Sequence, residues 1–200
     1  MNRGVKRVAT VKALARFLLS IVICLVISAG SSEGFFHKKK APVIPEDQFK
    51  KLGIEKPEKL FRAPDFTLED LTGRRLGPRD FRGKVVFLNF WATWCIPCRQ
   101  EMPTMEKLHR ELKKQGLEVV AINFREGKKE VRGFAGELGL TFTMLLDKEG
   151  KVSEEYGAWA LPLSYFVNRK EEFVGKVSGY RKWDSREAGE FFRRLLGEKN

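Results

Sequence analysis

Residues 87–98 read FLNFWATWCIPC. With Val85 and Val86 before it, the first half is a run of β-branched and aromatic residues without polar alternation, the pattern of a strand buried on both faces. The second half places Cys95 and Cys98 three residues apart, where that strand ends and a helix begins. Met105, Leu108 and Leu112 recur at spacings of three and four with Lys and Glu between them, which predicts an amphipathic helix ending near Gly116. At a helix N-terminus the unpaired N–H groups and the dipole stabilise an anion, so Cys95 can be a thiolate near neutral pH. Cys98 lies one turn on, within reach of a disulfide, and such a pair can cycle between dithiol and disulfide without rebuilding the backbone.

Working outward, LEVVAINF (117–124) and FTMLLD (142–147) read as strands. Between them Val131, Phe134 and Leu138 mark a helix closed by Gly139. A short helical stretch around Tyr156 precedes SYFVN (164–168) and FVGKVSGY (173–180), which read as an antiparallel hairpin. The last helix carries Ala188, Phe191, Phe192, Leu195 and Leu196 on one face, with Asp184 and Glu187 as its capping box and Gly197 after its end. The order is β-α-β-α-β followed by a hairpin and a helix, an α/β fold with a mixed central sheet and helices on both faces.

The chain has 200 residues, 42% of them hydrophobic, enough for one packed domain with a short appendage and too apolar for a disordered chain. Its first thirty residues hold Arg3, Lys6, Arg7, Lys12 and Arg16 and no acid, then the apolar run FLLSIVICLVISA (17–29) and the small residues Gly30, Ser31 and Ser32. That is the layout of a secretory signal. Thirteen apolar residues fall short of the roughly 20 that cross a bilayer, so residues 1–30 read as a signal peptide or, if uncleaved, a membrane anchor. Ile23 before Cys24 is not the small residue that a lipidation site needs, so Cys24 counts as one more apolar residue. Residues 31–61, rich in Lys, Glu and Pro with HKKK at 37–40, read as a flexible tether, and residues 62–200 as the folded domain.

The net charge of +12 falls to +7 once the five leader cations are set aside, and the remaining basic residues alternate with Glu. A solvated mixed-charge surface fits this better than a nucleic-acid site. Two cysteines at this spacing could also be half of a zinc knuckle, but zinc needs two more ligands. His37 is in the tether and His109 is eleven residues past Cys98, about 16 Å along the helix, so no metal site is expected and both histidines read as exposed polar residues.

FLNFWATWCIPC, the element order and the later Leu161-Pro162 pair together resemble the thioredoxin superfamily, most closely its exported TlpA/ResA-like thiol-disulfide oxidoreductases, over residues 62–197. The resemblance implies a thioredoxin fold with an N-terminal β-hairpin extension. Cys95 matches the exposed attacking cysteine, and Cys98 the shielded resolving one. Leu161-Pro162 matches the cis-proline, where the Leu161 backbone can pair with an extended substrate. Trp91, Trp94 and Pro97 surround the pair, and Pro103 matches a helix kink. Glu101, on the face of Cys98, matches an acid that can accept or return the Cys98 proton. Asn89 stands where classical thioredoxins have a buried aspartate, and Asn cannot titrate. Leu163-Ser164 after the proline and Trp159 before it depart from the pattern and make a more apolar rim.

The resemblance implies an exported enzyme that reduces disulfides of other exported proteins, apocytochrome c among them. Its redox group is the Cys95–Cys98 disulfide, with no other cofactor, and its electrons come from a membrane-embedded thiol reductant. The same cysteines could run as an oxidant, because the reduction potential sets direction. A copper-delivery module would need thiols and a nearby histidine, and His109 is too distant. A peroxiredoxin would need Thr at position 92, which is Ala92 here.

Overall fold

The structure, a computed structural model, describes residues 44–197. The signal-like leader, Cys24 and His37 lie outside the described residues. Seven strands, β1 (Leu68–Asp70), β2 (Arg75–Leu76), β3 (Val85–Trp91), β4 (Leu117–Phe124), β5 (Thr143–Asp147), β6 (Leu163–Val167) and β7 (Phe173–Ser178), form one sheet. Its order is β2-β1-β5-β4-β3-β6-β7. Among the described residues five α-helices accompany it: α1 (Glu46–Leu52), α2 (Ile96–Leu112), α3 (Lys128–Leu138), α4 (Lys151–Glu155) and α5 (Arg186–Leu196).

The three central strands β3, β4 and β5 are parallel, and β6, β7 and the β1–β2 hairpin are antiparallel to their neighbours. β3 is buried at all seven positions, as a strand covered on both faces must be. Its alternate residues divide between two layers. Val85, Phe87 and Trp91 meet Met102, Met105 and Leu108 of α2, Phe134 of α3 and the Phe191–Phe192 pair of α5. Val86, Leu88 and Phe90 meet Phe81, Val152, Tyr156 and Phe173 on the other side. This is the expected mixed sheet with helices on both faces and the hairpin at one margin, a thioredoxin fold.

Three expectations are corrected. The segment ahead of the domain is not a loose tether over its described part: α1 is capped by Gly53 in the left-handed conformation (φ 63°), and Phe49, Leu52 and Ile54 are buried in the main core. Phe49 meets the edge of Phe191 at 5.5 Å, and Glu55 exchanges backbone hydrogen bonds with Lys176 of β7 at 2.8 and 2.9 Å. Second, Ser185 rather than the Asp184/Glu187 box caps α5, its side chain accepting from the Ala188 N–H at 3.2 Å, while Asp184 pairs with Lys107. Third, His109 is buried, packed edge-on against Phe142 at 6.1 Å, because it continues the inward face set by Met102, Met105 and Leu108. Burial pushes its pKa below the usual value and favours the neutral ring.

Candidate active site

The cysteines sit where β3 hands over to α2. Cys95 is the N-cap of α2, and its Sγ accepts from the Cys98 N–H at 3.3 Å, so the sulfur lies in the field of the helix N-terminus. Pro97 occupies the first turn, where a missing N–H costs no helical bond. Cys95 and Cys98 form a disulfide with their Cα atoms 5.3 Å apart. Cys98 has no exposure and Cys95 only 5%, so access to the pair is narrow and falls on the first cysteine. On either side of Cys95, Trp94 and Ile96 are 64% and 69% exposed.

β6 begins where β3 ends, since Phe90 pairs with Leu163. That register brings the Leu161-Pro162 segment to the same end of the sheet as the disulfide, and its peptide bond is cis. Among the described residues the Leu161 N–H and C=O have no backbone partner, so both are available to an extended chain. Trp159, two residues earlier, is strongly exposed, as are Trp94 and Ile96. Trp91, by contrast, is wholly buried against Phe134 and acts as core.

One turn of α2 past the disulfide lies a buried polar cluster. Glu101, one turn beyond Cys98, has no exposure. One carboxyl oxygen, Oε1, accepts from Asn89 Nδ2 at 2.9 Å; the other, Oε2, accepts from the Arg181 backbone N–H at 3.2 Å and Trp183 Nε1 at 3.1 Å. Asn89 Nδ2 also donates to Ser164 Oγ at 3.0 Å. Burial pushes the Glu101 pKa up to about 7, against the three hydrogen bonds that hold it down. Asn89, Glu101 and the cysteine pair are thus brought together at one end of the sheet. Pro103 stands inside α2, and Thr104 beside it donates its hydroxyl to the Glu101 carbonyl at 2.7 Å.

Sequence reasoning missed the partners of this cluster. Arg181 and Trp183 come from the segment between β7 and α5, about eighty residues away, and no local spacing announces them. It also missed Glu126, which accepts from the Thr93 N–H and Asn123 Nδ2, both at 2.7 Å, and from the Thr93 hydroxyl. This carboxylate ties the loop before Cys95 to the end of β4. The available signal was an acid just past the C-terminal end of a parallel strand, where loops of such sheets collect. Among the described residues no group of three or more His, Cys, Asp or Glu could hold a metal ion.

The chain matches the AhpC/TSA family model over residues 61–175. It is 44% identical over 117 residues to the thiol-disulfide oxidoreductase ResA of Geobacillus thermodenitrificans, covering 58% of this chain and 67% of that protein. With ResA of Bacillus cereus it shares 32% identity over 168 residues, covering 82% and 88%. A crystal structure from Chlorobium tepidum, described as a thiol:disulfide interchange protein DsbE, superposes with a TM-score of 0.65 at 32% identity, covering 70% of this chain and 99% of that one. A disulfide at the N-terminus of α2, a cis Leu161-Pro162 bond at the same end of the sheet and these relatives agree: the chain belongs to the AhpC/TSA family and is a ResA-like thiol-disulfide oxidoreductase of thioredoxin fold.

Proposed function

We propose that the chain is exported and reduces disulfides in other exported proteins, the haem-site cysteines of apocytochrome c among them. The observation that carries this reading is the Cys95–Cys98 pair, with one sulfur narrowly accessible and the other sealed above a buried acid. In the dithiol form the Cys95 thiolate attacks a substrate disulfide and expels one substrate sulfur as a thiolate, leaving a mixed disulfide. Cys98 then attacks the Cys95 sulfur. Its proton passes to Glu101, the second substrate sulfur leaves, and the enzyme is left as the Cys95–Cys98 disulfide.

Trp94, Leu161 and Pro162 hold the substrate: Leu161 offers a backbone donor and acceptor to an extended segment, and Trp94 covers its side chains. No cofactor besides the cysteine pair takes part. A membrane-embedded thiol reductant returns the two electrons, because an oxidising compartment would not. The basic leader followed by an apolar run supports export, with the N-terminus either cleaved or kept as an anchor.

The deciding experiment is the equilibrium reduction potential of the pair in a thiol redox buffer, read by the fluorescence of the exposed Trp94. A value near or below about −250 mV is expected for a reductant. A value near about −120 mV would reverse the direction and make the chain a disulfide-inserting oxidant.

A further inference from the structure

The two oxygens of the Glu101 carboxyl face different kinds of partner. Oε2 meets the Arg181 backbone N–H and the Trp183 indole N–H, groups that donate and cannot accept. A proton added to the carboxyl therefore has no acceptor at Oε2 and belongs on Oε1, which faces Asn89 Nδ2 at 2.9 Å. As the amide stands, that would set an O–H against an NH2 between two fully buried side chains, an opposition that a low-dielectric interior penalises heavily.

Asn89 carries the remedy in its own side chain. It has no exposure, and its Oδ1 is buried with no hydrogen-bond partner, while Nδ2 serves both Glu101 and Ser164 Oγ. A half-turn of the amide exchanges its ends. Oδ1 would then accept from Glu101 Oε1–H and from the Ser164 hydroxyl, whose hydrogen rotates freely, while Nδ2 would move to where Oδ1 now stands unpartnered, so that the loss of its two acceptors is set against relief of the O–H to N–H opposition. We propose that Asn89 is a positioning residue with two orientations, donating to Glu101 when it is a carboxylate and accepting from it when it is an acid.

The residue type follows from this demand. A leucine would serve neither state, and an ionised aspartate could accept but never donate. The charged side chain acting on Glu101 is Arg181, which is tied to the Leu52 and Tyr180 carbonyls, both at 2.7 Å. Ser164 and Trp183 do not titrate in this range, and the disulfide carries no charge. A turning amide thus adapts the cluster to either state with no movement of backbone.

The test uses the oxidised full chain, labelled with 15N and 13C and followed by NMR from well below to well above pH 7. The Glu101 carboxyl carbon reports its protonation, and the Asn89 side-chain NH2 reports which way the amide points. On acidification the Asn89 NH2 protons are expected to lose their hydrogen-bonded shift and their NOE to the Ser164 side chain, with the midpoint of the Glu101 carbon. In Glu101→Gln this pH dependence should vanish. An Asn89 NH2 that keeps its shift and NOE while Glu101 titrates would overturn the inference, and so would a Glu101 that never takes up a proton in this range. The inference builds on the proton role proposed for Glu101. A fixed amide beside a titrating Glu101 nevertheless leaves the redox reading standing, whereas an oxidant-like potential reverses that reading and leaves the amide result untouched.

Discussion

Replacing Glu101 by Gln tests what a buried carboxyl does to this fold as pH changes. Its pKa rises from the ordinary 4.5 to about 7 because burial disfavours the charged form more than its three donors favour it. The native state therefore holds this proton more tightly than the unfolded chain, and the contribution of Glu101 to stability is greatest below pH 4.5 and declines as pH rises through about 7. The gap between 4.5 and about 7, at 1.36 kcal/mol per unit, amounts to about 3 kcal/mol lost across the window. Gln cannot ionise, and its carbonyl can still accept from Arg181 N–H and Trp183 Nε1. The assay is urea unfolding of the oxidised chain at a series of pH values, comparing wild type with Glu101→Gln. The difference between the two stability curves cancels His109 and the other titrating groups. It is expected to move by about 3 kcal/mol in favour of the variant from the acidic end of the window to the neutral end. Parallel curves would refute the reasoning and show that Glu101 binds its proton no more tightly in the folded chain than in the unfolded one.

Other consequences are open to measurement. Cys98→Ser should leave Cys95 free to attack but unable to be displaced, so mixed disulfides with substrate proteins should accumulate on non-reducing gels; their absence would show that Cys95 is not the attacking sulfur. Asp70, nearly buried in the β1–β2 turn, accepts from the Thr72 and Arg74 N–H groups, the Thr72 hydroxyl and Arg74 Nε, at 2.6 to 2.9 Å. These bonds hold its carboxyl far below the usual range, so the stability it supplies is present above its ordinary pKa of 3.8 and is lost as pH falls toward the folded value. Asp70→Asn should cost about 1–3 kcal/mol at neutral pH, read from the urea midpoint; an unchanged midpoint would show that the turn does not depend on the charge. Phe49→Ala should cost about 3–5 kcal/mol and expose α1 to proteolysis. A loss under about 1 kcal/mol, typical of a surface site, would return residues 44–61 to the status of a tether.

How far the sequence could be read depended on whether a residue's role was set locally. β3, α2 and the Cys95–Cys98 pair were legible because an all-apolar strand, a helical stripe and a short spacing all lie within thirty residues. The cis bond at Leu161-Pro162 was anticipated only through resemblance, since proline alone favours trans. α1 was not legible: EDQFKKL offers Phe49 and Leu52 alone over less than two turns, and the helix owes its place to Phe191, far along the chain. His109 was misread by residue type, although its position continued the Met102–Met105 face. The spacing of Glu101 told which helix face it occupies, but its depth depends on Trp183 and Arg181, which only the closed fold supplies.

The strand-like exchange between Glu55 and Lys176 bears on which edges of the sheet are open to other chains. A sheet presents two open margins that invite strands of other molecules to add and continue. Here the β7 margin is already occupied by the chain's own Glu55 and by the Arg62 to Glu172 bridge, and the opposite margin is the two-residue β2, which bears the exposed Arg75. An extended segment of another chain therefore finds no long open edge on which to add. The arm that looks like a spacer in the sequence thus covers one of the two edges that the sheet would otherwise leave open.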